Sequence, residues 1–384
     1  MPTSGVRGQV AHTHLAFCAA VQRALVARAT GSSATGSSLC WSPFSVAGAL
    51  GLLGAGASGA TRDELLRVLL GDAHGDLDGH AAMLREAAAL EPAAANAAAP
   101  TLAVSDTLWV NSGLPIEPAF AAEVSRVPGG EVRDASFATD PEGARRLINA
   151  AVRDTTEGLI EELVPPAAVS QETVAALVTA LYLRTAWRSP FTEARTGLLP
   201  FHGSAGTRNV PTMRQTAMLG YLAEDGWQAV SIPAAGEIEA VVLLPDGELD
   251  TSESTVDAQR LARLLDAPSP ARVELFLPRF TVRFNASLAS ALDRLGVRRM
   301  FRSDAEFSGI STAPLIVSDV LHESVLRVDE HGVEGAAATA VTVTLSAMVR
   351  EQPATVVRVD RPFLFLVRHP ASGAVYFLAR VLHP

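Results

Sequence analysis

"DEHGVEGAAATAVTVTLSAMVR", residues 329–350, begins as a Gly/Ala run suited to a linker and continues as Val-Thr-Val-Thr-Leu, a strand pattern. From Val333, one parity carries Val333, Gly335, Ala337, Thr339, Val341, Val343 and Leu345, mostly apolar. The other carries Glu334, Ala336, Ala338, Ala340, Thr342 and Thr344. Side chains alternate across a strand, so this register buries one face and solvates the other. The predicted strand runs thirteen residues, Val333 to Leu345. At ~3.3 Å per residue it spans about 43 Å, well beyond the usual five or six residues. Its first half has weak strand propensity, because Gly and Ala add little packing and leave the backbone free. The segment reads as a strand in one state and a flexible connection in another.

The 384 residues around it are 48% hydrophobic and 19% charged, enough to bury a large core. The net charge of -10 gives no basic footprint for nucleic acid or an anionic membrane. All 31 basic residues are arginine, which excludes lysine catalysis. Cys18 and Cys40 are too few for a disulfide framework or a thiolate zinc site, and read as buried or idle thiols. The N-terminus has apolar residues at helical spacing and no basic start followed by an apolar core, so it reads as an amphipathic helix and not a signal peptide. No apolar stretch is long enough to span a bilayer. The expectation is a soluble cytoplasmic protein, or one exported by a route the sequence does not display.

Periodicity predicts helices over 9–29, 44–55, 60–70, 142–155 and 288–297, with Thr61 and Glu64 in capping-box spacing in the third. Residues 91–100, "EPAAANAAAP", read as a loop or frayed helix end. Strand signals begin at "TLAVSDTLWV" (101–110) and "TVAALVTALYL" (173–183). The second half is rich in them: "WQAVSIPA", "IEAVVLLP", "RVELFLPRFTVRF", "PLIVSDVLHESVLRVDE", "PFLFLVRHP" and "AVYFLARVL". Helices first and strands later predict an α+β fold with antiparallel pairings, not regular βαβ alternation.

"GAGASG" at 54–59 satisfies Gly-x-Gly-x-x-Gly and raises the alternative of a dinucleotide-binding enzyme. That site needs a strand before the glycines and an acidic residue at the end of a second strand. The acids of "GDAHGDLDGH" arrive without one, so a helix-to-helix loop is the better reading. The nine histidines are scattered, with no hydrolase, phosphate-loop or metal motif. His12 and His14 point to different helix faces and read as exposed. His322, inside "VSDVLHESVL", reads as a buried imidazole in a structural hydrogen-bonding role.

With these residues in hand, the chain resembles the serpin family, in its bacterial form, over nearly its whole length. "SPFSVAGALGLLGAGASGATRDELLRVL" resembles the family's Ser-Pro-x-Ser-Ile helix start and the Gly-Ala-x-Gly-x-Thr loop after it. "LVTALYLRTAWRSPF" resembles the strand-and-tryptophan segment, with Trp187 near the top of the central sheet. "VPTMRQ", "VVLLPDG", "LPRFTV", "LGVRRMFRSDAEFSGIS" and "PFLFLVRHPASGAVYFLARVLHP" follow in the family's order. The resemblance implies a single domain, 1–384, with helices packed around a large central mixed β-sheet, two further sheets, and an exposed reactive-centre loop at about 330–361. It implies a non-enzyme without cofactor or metal, a monomer whose partner is a target serine protease.

The opening stretch then resembles the family hinge, Glu330, Gly332, Val333, Glu334, Gly335, Ala336, Ala337, Ala338 and Thr339. The resemblance implies suicide inhibition: the protease acylates itself on the loop, and the loop inserts as an extra strand of the central sheet. Family spacing puts the reactive bond at Ser346–Ala347, with Leu345, Met348 and Arg350 as alternatives. These favour a chymotrypsin-, elastase- or subtilisin-like target, or a trypsin-like one at Arg350. A non-inhibitory serpin is the alternative reading, because Val333 and Gly335 depart from the usual hinge and branched Val333 is expected to slow the first insertion step. Ser38, Ser42, Ser45, Thr179 and His322 are expected in a polar cluster under the sheet; Ser38 and Thr179 stand where asparagine is common and Glu323 where lysine is frequent.

Overall fold

A computed structural model describes residues 4–30, 36–91, 99–334 and 353–384. In chain order the first half comprises α1 (Ser4–Thr30), β1 (Leu39–Trp41), α2 (Pro43–Gly56), α3 (Gly59–Leu70), α4 (Leu77–Ala88), β2 (Thr101–Asn111), α5 (Pro118–Val124), β3 (Gly130–Ala135), α6 (Pro141–Thr155) and β4 (Ala175–Ala186). Then come β5 (Gly197–Gly203), β6 (Gly206–Glu224), β7 (Trp227–Pro233), β8 (Glu239–Pro245), α7 (Leu249–Ser254), α8 (Ala258–Asp266), β9 (Ser269–Pro278), β10 (Phe280–Ser287) and α9 (Ala289–Leu295). The chain closes with β11 (Val317–Val328), β12 (Gly332–Val333), β13 (Thr355–Arg358), β14 (Phe363–His369) and β15 (Ala374–Val381).

The strands form two sheets. One has six strands in the order β10-β11-β12-β4-β2-β3, and it is mixed: β4 is antiparallel to β2 and parallel to β11. The other has nine, in the order β1-β15-β14-β8-β7-β6-β9-β13 with β5 beside β6. The two further sheets expected beside the central one are thus joined in one hydrogen-bonded array. The nineteen-residue β6 makes the join, pairing with β5 along its first part, with β9 from Thr212 to Tyr221 and with β7 at its end.

α2 lies between the sheets, packed on β15 on one side and on β2 and β4 on the other. It starts where it does because Ser42 caps it, accepting from Ser45 N–H, with Pro43 pre-set for the first turn. It is apolar nearly all round because both faces are covered. On the six-stranded sheet Ala175, Leu177, Leu108 and Val110 face α2, while Ala176, Val178, Ala180 and Trp109 face Ile148 and Val152 of α6. β4, buried on both faces, therefore reads as a continuous apolar run.

One local expectation fails and one holds. Thr61 and Glu64 do not form a capping box: α3 begins at Gly59, Thr61 Oγ1 accepts from Glu306 N–H, and Glu64 accepts from the N–H groups of Arg298 and Arg299. Tertiary donors from the 298–306 segment took over both side chains. The glycines of "GAGASG" close α2 and open α3, with no strand before them. Gly56 is needed because a Cβ there would meet the Phe120 ring at 2.8 Å. The dinucleotide geometry is absent at this motif. Residues 92–98 of the low-complexity stretch lie outside the described residues.

Candidate functional site: the seam between β4 and β11

β4 and β11 pair directly, in parallel, from Ala175/Val317 to Leu181/Ser324. Above that point the chain places β12 between them, antiparallel to both: Val333 pairs with Val328 and with Thr185, and Gly332 with Ala186. A tight turn makes this possible. Asp329 N–H donates to Gly332 O at 3.1 Å, and Asp329 Oδ1 accepts from His331 N–H at 2.9 Å. Gly332 is required by close approach, since any Cβ there would collide with the Thr185 carbonyl oxygen. Val333 is 1% exposed, so its branched side chain is accommodated between the two strands. Glu334 leaves the sheet with φ +59°, rare for a residue with a Cβ, while its N–H donates to Arg327 O.

The turn is clamped from the β4 side. Trp187 Nε1–H donates to Asp329 O at 2.9 Å, and its backbone N–H to His331 O at 2.9 Å. Glu330, 1% exposed, accepts from Arg279 Nε at 2.7 Å and from Thr196 Oγ1. Burial pushes its carboxyl up, but these bonds outweigh burial and hold it below the ordinary carboxylate value. His331 Nε2 meets Glu193 at 2.9 Å.

A second polar cluster lies lower, on the face turned to α2. His322 Nε2 accepts from Ser42 N–H at 3.1 Å, so the proton sits on Nδ1, which donates to Thr179 Oγ1 at 2.8 Å. Burial lowers the His322 pKa to about 3, against the Thr179 hydrogen bond, so the ring is neutral. The Thr179–His322 bond crosses the seam and breaks whenever the strands part.

Expected residues thus converge at two places: Glu330, Gly332, Val333, Glu334 and Trp187 at the top, and Ser42, Ser45, Thr179 and His322 beneath. Ser38 does not join the lower cluster. Its Oγ accepts from Leu382 and His383 N–H, tying down the C-terminus. Glu323 accepts from Asn285 at 2.8 Å, beside the cluster and not in it. His12 is exposed as expected, but His14 is buried, accepting from Val375 N–H, because its helix face packs on α4 and β15. Cys18 and Cys40 are buried free thiols. Gly335 to Thr339 of the hinge and Leu345, Ser346, Ala347, Met348 and Arg350 lie outside the described residues. Sequence reasoning missed Arg279, Thr196 and Asp106, although Asp106 announces itself as one acid inside the apolar alternation of β2. Among the described residues no group of three His, Cys, Asp or Glu is placed to hold a metal, and no helix is long and apolar enough to cross a membrane.

A family model described as Serpin (serine protease inhibitor) matches residues 17–384. The chain belongs to the serpin family. It is 31% identical to an uncharacterized serpin-like protein of Thermococcus kodakarensis, over 90% of this chain and 80% of that one. It is 30% identical to the leukocyte elastase inhibitor of Sus scrofa, over 93% and 96%. Among solved structures, uncleaved ovalbumin superposes with a TM-score of 0.82 at 23% identity, covering 98% of this chain and all of that one. Serpin48, described as a highly specific serpin of the insect Tenebrio molitor, gives 0.83 at 24%, over 100% and 99%. At these identities the structures establish that the serpin shares their fold. The six-stranded sheet is the central sheet anticipated from the resemblance.

Proposed function

We propose that this serpin inhibits serine proteases as a suicide substrate. The observation that carries the reading is β12: a strand already begun between two parallel strands, in the antiparallel sense a continuing loop would need. The protease serine attacks the carbonyl of Ser346, and the Ser346–Ala347 bond breaks. The new amine at Ala347 leaves with a proton from the protease's own acid–base group, and the acyl ester stays on Ser346. The freed segment after Val333 then extends β12 down the seam, separating β4 from β11 and carrying the tethered protease with it before water cleaves the ester. Seating of Val333 supports this reading over the non-inhibitory one, since the residue expected to slow entry already sits in the sheet. The serpin acts as one domain and as a monomer, with hinge residues Gly335 to Thr339 entering next and chymotrypsin-, elastase- or subtilisin-like proteases as targets.

A panel of such proteases, with a trypsin-like member, tests the proposal. The expected outcome is a complex that survives a denaturing gel and a released fragment that begins at Ala347 by mass spectrometry. A fragment beginning one residue after Leu345, Met348 or Arg350 moves the bond, and clean cleavage without complex across the panel overturns the mechanism.

A further inference from the structure

Asp106 lies in the same sheet row as the lower cluster. It is in register with Thr179 of β4, which is in register with His322 of β11, and all three share the α2 face. Asp106 is fully buried, and neither carboxylate oxygen has a hydrogen-bond donor. α2 sits directly on it: Oδ2 would lie 2.6 Å from a Cβ at Gly48. Ser45, one helical turn earlier on the same face, acts on the carboxyl and has an Oγ without a partner of normal geometry.

A carboxylate buried this way, without donor or cation, costs several kcal/mol, and the group takes up a proton instead. Its surroundings supply no compensating charge. Ser45 and Gly48 face it from α2, with Val127 from the turn before β3 packed near Gly48, and Gly130 of β3 and Thr179 of β4 stand beside it in register. Beyond Thr179 is only neutral His322, both of whose nitrogens are engaged. Burial, then the Ser45 hydroxyl, are the influences on the Asp106 pKa, and the net direction is well above the ordinary value.

The seam makes this consequential. The start of α2 is tied to the β11 side of it: Ser42 N–H donates to His322, and Ser324 Oγ donates to Cys40 O. Asp106 is tied to the β4 side through the β2–β4 ladder. Admitting a strand moves β4 and β11 apart by one spacing, about 4.8 Å. That shift takes Asp106 off Ser45 and Gly48.

We infer that Asp106 is held in the closed sheet as a neutral carboxylic acid bonded to Ser45, and that opening of the seam releases its proton to water, so opening is favoured as pH rises. The sign follows from linkage. A carboxyl raised above its unfolded value stabilises the closed form fully at low pH, and that stability is lost as pH climbs through the folded value. The inference does not require that the serpin inhibit any protease.

The test compares the intact chain with Asp106→Asn. At neutral pH, infrared difference spectra should show a protonated-carboxyl band in the wild type that the variant lacks. The closed-form equilibrium constant of the wild type relative to the variant should fall up to tenfold per pH unit while the open form is ionised and the closed form still holds its proton. Amide hydrogen exchange in residues 175–181, taken as a wild-type-to-variant ratio at each pH, should rise over the same range. A flat stability difference from pH 5 to 9 with no band overturns the neutral acid. A titrating band with a flat exchange ratio overturns its coupling to opening. Where Asp106→Asn folds poorly, Ser45→Ala carries the test: loss of its partner shifts the band, and an unshifted band contradicts the Ser45 bond.

Discussion

His322 shows what a single side chain contributes at the seam. Its neutral ring satisfies Ser42 and Thr179 at once, and burial holds its pKa near 3 against an ordinary 6.5. A depressed group stabilises the fold fully above the unfolded value and loses that contribution as pH falls towards the folded one. His322→Gln keeps a donor and an acceptor in place without the titration. The wild type should therefore lose stability relative to this variant by up to about 1.4 kcal/mol per pH unit below pH 6.5. Urea midpoints at pH 7 and pH 5 measure this, and buried His14 and His80, common to both proteins, cancel in the difference. The role of His322 was legible in the sequence, because an imidazole inside an apolar strand must find partners. The role of Ser38 was not: its place at a position where the family often has asparagine suggested the cluster, whereas its hydroxyl serves the C-terminal residues.

β12 is the element on which the functional reading turns, and its two residues were legible only in part. The alternation from Val333 predicts which side chains face inward, and buried Val333 follows it. Sequence alone did not indicate that the first of them is already seated, nor that Gly332 is dictated by the Thr185 carbonyl oxygen. Gly332→Ala places a methyl group on that oxygen and should unseat β12 with little loss to the rest of the fold. Hydrogen exchange at Thr185 to Trp187 should quicken, and complex formation with a trapped protease should give way to turnover. Unchanged exchange and unchanged trapping would mean the turn at Asp329 to Gly332 adjusts instead. Long apolar strands such as β4 and β14 were readable from composition, and α2 from its Ser-Pro start. The helices α4, α5, α7 and α8 were missed: α4 and α8 cap themselves with Asp76 and Asp257, acids that read as loop, and α5 and α7 have only seven and six residues.

The whole molecule is a mixed sheet with a seam between parallel strands, an antiparallel strand begun at its top, and breakable polar bonds beneath. On the proposed mechanism, such a sheet gains stability by completing the strand. Burying Val341, Val343 and Leu345 contributes about 1.5–3 kcal/mol each. New ladder hydrogen bonds on both sides add roughly 0.5–1.5 kcal/mol apiece. The sum is on the order of 10 kcal/mol or more, large beside the usual net stability of a protein. The direct measurement is the thermal midpoint of the intact chain against the chain nicked once between residues 345 and 350. The account predicts a rise of about 12 °C or more on nicking, and an unchanged or lower midpoint would contradict it.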